Sequence, residues 1–368
     1  MQQNNKKNMK HAYFRIVFAS VLAVMTSLLA FGQKDEMMVR CVAFYNLENL
    51  FDTIHDEGKN DYEYLPDGGM KWTKMKYEHK LHNMAYAIAQ LGTDEDPRGA
   101  ACVGVSEVEN IGCLYDLCRE LKEKHNRDYE PILLEGPDRR GVDVGFLYNP
   151  KMFKPTSVKG YELNAHYADG GVVRSRLQLW ISGYMLDDNG KIVVDKLHMS
   201  INHWPSRYGG EESSRATRDT AAMLCKQVCD SIYMREPRAK IIVMGDLNDD
   251  PFNHSCAVVM GAKKTREEVG EQGFFNTMWQ KLDRGIGSLA YQGSWNLFDQ
   301  IFISEPLMNA KLEDGKWVYW KSQIFNKPFL TVQEGKDKGT PLRTVKSGVW
   351  QDGYADHYPT MIYVVKKK

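Results

Sequence analysis

The seven cysteines include no C-x-x-C pair, which removes the usual spacing of a structural zinc or a dithiol redox site. The chain has no internal repeat and no low-complexity run. It has no surplus of charge either: 48 basic residues stand against 48 acidic ones. A broad polycationic surface is therefore excluded. A local basic groove is not, because a phosphate feels its nearest charges most strongly. After residue 32 no stretch is apolar enough to span a bilayer. With 43% hydrophobic and 26% charged residues, what remains is an ordinary globular composition.

The one long apolar run comes early. Lys6, Lys7, Lys10 and Arg15 precede Ile16–Leu29, and "AFGQ" at Ala30–Gln33 supplies small residues. This is the pattern of a signal sequence over residues 1–32, with cleavage expected after Gly32. The competing reading is an uncleaved anchor helix, for which the run is short. No cysteine lies beside the cleavage site, which argues against a lipid anchor. Without the leader the chain has 44 basic and 48 acidic residues, a net charge of −4, and is expected to be soluble and exported to the periplasm or beyond the cell. An oxidising compartment permits disulfides, but an odd count leaves a thiol over in a monomer, the favoured state. The cysteines are expected to be buried small hydrophobes, with Cys225 and Cys229 sharing one helix face.

Strand-like runs begin at Val39, Ala101, Gly141, Arg176, Lys196, Ala239 and Asn296. Helical spacing covers Lys74–Leu91, about Ser213–Tyr233 with Ser213 or Ser214 as cap, and a shorter stretch from Cys113. "DDNG" at Asp187–Gly190 marks a hairpin. Strands joined by short turns and interleaved with helices predict an α/β fold with mixed sheets and outer helices. The expectation is one domain over 33–368, a surface loop over Thr53–Gly69, and a strand-poor insertion over about 305–348.

Polar residues gather where these strands stop. "YNLEN" carries Asn46 and Glu48, "SEVEN" carries Glu107 and Glu109, "INHWPSR" carries His203, "GDLNDD" carries Asp246 and Asn248, "NLFDQIFIS" carries Asp299, and "YADHYP" carries Asp356 and His357. Period-2 spacing puts Asn46 with Glu48, and Glu107 with Glu109, on common faces of extended segments. Singly, each is an ordinary turn residue or a solvated charge. Together they offer oxygen ligands suited to Mg²⁺, Mn²⁺ or Ca²⁺ rather than zinc, with two imidazoles that exchange protons near neutral pH.

This ordered set resembles the endonuclease/exonuclease/phosphatase superfamily, the DNase I-like fold, across Val39 to about Val365. The resemblance implies a four-layer α/β/β/α sandwich of two mixed β-sheets flanked by helices. It implies Glu107 as principal metal ligand, with Asn46, Glu48 and Asp356 in the same metal region, and Glu109 as a rival. Asp246 and Asn248 would position the attacking water and the phosphate. His357 would act as general base or electrostatic partner, oriented by Asp299. His203 would contact the phosphoryl oxygens or protonate the leaving group, with Arg176 and Asp143 as supporting candidates. Ser106 and Ala355 stand where the family often has Gln and Ser, and Glu48 where an Asp or a variable residue is common.

The implied activity is metal-dependent hydrolysis of phosphodiesters, with a nuclease as the leading reading. Two readings stand for Trp295, stacking on a base or packing in the core or its rim, and two for Arg207, Arg215 and Arg218, a local phosphate patch or a solvated helix face. The rivals are a phospholipid or sphingomyelin phosphodiesterase, an inositol-phosphate phosphatase, and a non-catalytic binding protein on the same scaffold.

Overall fold

Alternating apolar positions on the central strands decide how the layers stack. The computed structural model describes residues 37–167 and 169–368, so the leader lies outside the described residues. Residues Met38–Lys366 form one unit. In chain order the main elements are β1 (Met37–Leu50), α1 (Lys74–Gln90), β2 (Cys102–Val108), α2 (Ile111–His125), β3 (Glu130–Leu133), β4 (Asp143–Tyr148), β5 (Phe153–Tyr161), β6 (Gln178–Leu186) and β7 (Ile192–His203). They continue with α3 (Glu211–Tyr233), β8 (Lys240–Asp246), β9 (Ala262–Lys263), β10 (Phe274–Asn276), β11 (Leu289–Tyr291), β12 (Ser294–Asn296), β13 (Asp299–Ser304), β14 (Val318–Ile324), β15 (Val345–Lys346), β16 (Val349–Trp350) and β17 (Thr360–Lys367).

Among the described residues there are two large sheets, ordered β14-β17-β1-β2-β4-β3 and β5-β6-β7-β8-β13-β10-β9. Both are mixed: β1–β2 and β7–β8 run parallel, whereas β2–β4 and β8–β13 run antiparallel. On β8, Ile242 and Met244 join the core shared with the first sheet, while Ile241 and Val243 join the core under α3. β13 repeats this, with Ile301 and Ile303 on one side and Phe302 on the other. A side chain at Gly104 of β2 would meet Ile201 of β7 at 3.1 Å, and one at Gly145 of β4 would meet Leu114 of α2 at 2.6 Å. The first sheet therefore lies between α2 and the second sheet, and α3 covers the far face. This is the four-layer DNase I-like sandwich.

Two details depart from the sequence reading. α3 starts two residues early, after Gly210 at φ 115°, and the Ser213 and Ser214 hydroxyls donate back to the Gly210 carbonyl instead of capping the helix. The region read as strand-poor supplies β14, which pairs with β17 and extends the first sheet. All seven cysteines are buried and free. No helix of the described residues is long and apolar enough to cross a membrane.

The strand alternation also delivers the site. His203, Asp246 and Asp299 share the inward parity of Ile201, Met244 and Ile301, and the register pairs His203 with Asp246 and Asp246 with Asp299. Three neighbouring strands thus end in a polar row facing the first sheet. Gly245 lets β7 and β8 close there, since a Cβ at this position would sit 2.3 Å from the Asn202 carbonyl oxygen. Backbone cannot yield as a side-chain tip can. Gly245→Ala should lower stability by roughly 3 kcal/mol in urea denaturation, the upper end for overpacking. A loss below about 0.5 kcal/mol would show that the strands are not held this closely.

Candidate active site

Asp246 ends a fully buried strand, and its carboxylate must find partners among polar groups at the open edge of the sandwich. Its Oδ2 accepts from Asn46 Nδ2 of β1 at 2.9 Å, and its Oδ1 accepts from the Asn248 amide at 3.0 Å. Across the gap, Oδ2 lies 3.6 Å from His203 Nε2 and 4.0 Å from His357 Nε2. Burial pushes the Asp246 carboxyl up to about 7, against the opposing pull of His357. Asn248 donates from Nδ2 to the Trp204 carbonyl at 3.0 Å, which holds its backbone at φ 51°.

His357 Nδ1 lies 2.6 Å from Asp299 Oδ2, both buried. Burial opposes a charge on this ring, but Asp299, Asp356 and Asp246 outweigh it and hold the imidazole well above its ordinary range. His203 goes the other way. Burial, then the charges of Arg176, Arg140 and His357, push it well below its ordinary range. Its Nδ1 is buried without a partner, whereas Nε2 faces Asp246 and lies 3.8 Å from Glu107 Oε1. The surroundings therefore favour a charged ring at His357 and an uncharged ring at His203.

Glu107 and Glu109 do not share a face. Glu107 takes φ 60° where the β2 register shifts, so the two-residue alternation breaks between them. Glu107 lines the cleft and accepts from the Asn49 amide at 3.0 Å. Glu109 turns to Asp52 and Cys113, accepts the Asp52 amide at 2.7 Å, and is pushed up to about 8 by burial. The same break separates Asn46 from Glu48. Glu48 sits at φ 47°, its amide donates to Asn46 Oδ1 at 2.9 Å, and its carboxylate turns away from Asp246. Left-handed backbone at Glu48, Glu107 and Asn248 costs on the order of 1–3 kcal/mol per residue and gathers at functional sites.

Glu48 meets groups that the sequence reading did not single out. Its Oε1 accepts from Arg343 Nε at 3.1 Å and its Oε2 from the Thr344 amide at 2.7 Å. Arg343 Nη2 also reaches Asp356 Oδ2 at 3.0 Å. Lys80, fully buried on α1, donates to Thr344 Oγ1 and to the Tyr354 carbonyl, and burial lowers its ammonium to about 8. The charges of Glu48, Asp356 and Glu107 all act on it. The one local sign of Lys80 is a lysine spaced four and eight residues before Met84 and Ile88, in the apolar stripe of α1.

A cleft of about 900 Å³ opens over Glu107, His203, Asp246, Asn248 and His357. Its wall carries Arg139, Arg140, Arg174 and Arg176. Arg176 is buried, bonded to Asp138 and the Trp204 carbonyl, while Asp143 accepts the Gly136 amide at 2.9 Å. The arginines expected to form the phosphate patch are engaged elsewhere. Arg218 is buried on Asp249 at 2.7 Å, Arg207 pairs with Glu211, Asp249 and Asp250, and Arg215 pairs with Glu212 and Asp219. Trp295 is partly buried and stacks on Tyr358 with centroids 6.1 Å apart.

The donor chemistry fits a hard divalent cation. Glu107 Oε1 and Asp356 Oδ1 are carboxylate oxygens whose nearest ring nitrogens are 3.8 and 3.9 Å away, outside hydrogen-bond reach.

The model of the Endonuclease/Exonuclease/phosphatase family matches residues 41–366. No curated protein matches the chain. Among solved structures, the chain is similar to a mannosyl-6-phosphatase from Bacteroides thetaiotaomicron, at 13% identity and TM-score 0.51 over 88% of this chain and 99% of that one. It is also similar to a humanized D. rerio TDP2, at 11% identity and TM-score 0.50 over 89% of this chain and 98% of that one. Both are likenesses of fold. With the family match spanning nearly every described strand, the chain belongs to the Endonuclease/Exonuclease/phosphatase family of metal-dependent phosphoesterases.

Proposed function

We propose that this protein is an exported hydrolase of phosphodiester bonds in nucleic acid. The observation that carries the reading is the wall of the cleft. Arg139 and Arg174 are exposed there and have no carboxylate partner among the described residues, beside the polar floor of Glu107, His203, Asp246, Asn248 and His357. A polyanion offers neighbouring phosphates to such a wall. Tyr167 and Tyr208, 48% and 89% exposed, line the same cleft and offer ring faces to bases. A lipid enzyme would want an apolar rim, but besides these two tyrosines the exposed aliphatic side chain of the lining, Val172, stands among charged residues. Export rests on the basic and apolar pattern of residues 1–32.

The residues divide the chemistry as follows. Asp246, near neutral in its titration, takes the proton of the attacking water, which Asn248 helps to place. His357, cationic and fixed by Asp299, stabilises charge gathering on the phosphoryl group. His203 presents Nε2 to the same space as a neutral donor. A divalent cation held by Glu107 and Asp356 would act as a Lewis acid toward the phosphoryl oxygens.

The assay sets DNA, RNA, phospholipid and inositol phosphate side by side, with Mg²⁺ or EDTA. Nucleic acid should be cleaved with Mg²⁺ and spared with EDTA, and Glu107→Ala should remove the activity; turnover confined to another substrate would refute the reading. Base catalysis by Asp246 needs its ionised form, which predominates above about 7 and is lost as pH falls through that value. The rate should therefore rise to a plateau above neutrality, and Asp246→Asn should reduce kcat by roughly 10²–10⁴ with no rise left in the profile. An unchanged profile in Asp246→Asn would assign the base elsewhere. Arg139→Ala with Arg174→Ala should flatten the dependence of log(kcat/KM) on log salt by about one per arginine; equal slopes in variant and wild type would place the polyanion elsewhere.

A further inference from the structure

Arg343 lies in the strand-poor region of about 305–348, and its backbone is held firmly. The Leu342 amide donates to the Leu330 carbonyl at 2.7 Å, and the Tyr354 amide donates to the Leu342 carbonyl at 2.6 Å. A Cβ at Gly353 would lie 2.3 Å from the Arg343 carbonyl oxygen, so the returning chain presses on it from the other side. The guanidinium then spans two acids, with Nε on Glu48 Oε1 at 3.1 Å and Nη2 on Asp356 Oδ2 at 3.0 Å. The Thr344 amide takes Glu48 Oε2 at 2.7 Å. Of the four carboxylate oxygens, three are engaged by protein donors, and Asp356 Oδ1 is left facing His357 Nε2 at 3.9 Å.

Two carboxylates held this way are what a second divalent ion would use. Here their charge is already balanced by Arg343 and the buried Lys80. A planar fork meeting two carboxylates is a strong, directional arrangement, and a second ion would have to expel it. We propose that Arg343 is a built-in substitute for a second metal, leaving Glu107 with Asp356 Oδ1 to hold a single divalent ion. The inference rests on the metal-dependent reading above and adds the number of ions and the residue that sets it.

The test counts Mn²⁺ bound per folded chain, from the electron paramagnetic resonance of the free ion, without substrate. Wild type should bind one ion. Arg343→Gln should bind two, and Mn²⁺ should raise its melting temperature more than that of wild type. The double variant Arg343→Gln with Glu48→Gln, which restores charge balance without the acid, should return to one. If Arg343→Gln does not fold, Arg343→Lys carries the count, since a single ammonium does not reproduce the fork: two ions are expected, and one overturns the inference. Two ions on wild type, or one on Arg343→Gln with unchanged affinity, also overturn it while leaving the metal-dependent reading standing. No ion on any variant overturns both.

Discussion

Everything in this site depends on a buried carboxylate that cannot be left alone. Asp246 closes a strand whose every residue is buried, between two sheets, where an unpaired charge costs several kcal/mol. The fold answers with Asn46 from the opposite sheet, the Asn248 amide from its own turn, and two imidazoles from β7 and the segment before β17. Each partner comes from a different part of the chain. Holding Asp246 is therefore what brings the strand ends together, and the cleft follows from that convergence.

The arrangement is electrostatically divided. Asp299 lies on the His357 side and supports a charged ring, while burial, with Arg176 and Arg140 nearby, disfavours a charge on His203. Two histidines with opposite protonation preferences, about a carboxylate titrating near 7, let acid, base and cation coexist at one pH. On the other side of Glu107, Arg343 and Lys80 balance Glu48 and Asp356.

Much of this was legible because it is local. The inward parity of Asp299 among Ile301 and Ile303 can be read from six consecutive residues, and so can the polar ends of "INHW" and "MGDLN". The pairing of Asp299 with His357 came from resemblance, and the structure places the two groups in contact. What was not legible is of two kinds. Alternation misplaced Glu48 and Glu109 because left-handed residues interrupt it, and no residue type announces a positive φ at a glutamate. The arginines were misassigned because partner choice is tertiary. Arg218 looks like a helix-surface charge until Asp249 is placed beneath it, and Arg343 meets Glu48 across 295 residues of chain. Glu305–Gly348 read as an insertion because its one substantial strand has no regular alternation, yet it completes the first sheet and delivers Arg343.

The site works only if charge is divided between the two imidazoles, and ¹⁵N nuclear magnetic resonance of the histidine rings reads that division. At pH 7 the His357 ring should show both nitrogens protonated and the His203 ring only one, with the His357 signal reverting to the neutral form at that pH in Asp299→Asn. A neutral His357 beside a protonated His203, or two rings titrating together near 6.5 as free histidines do, would contradict it.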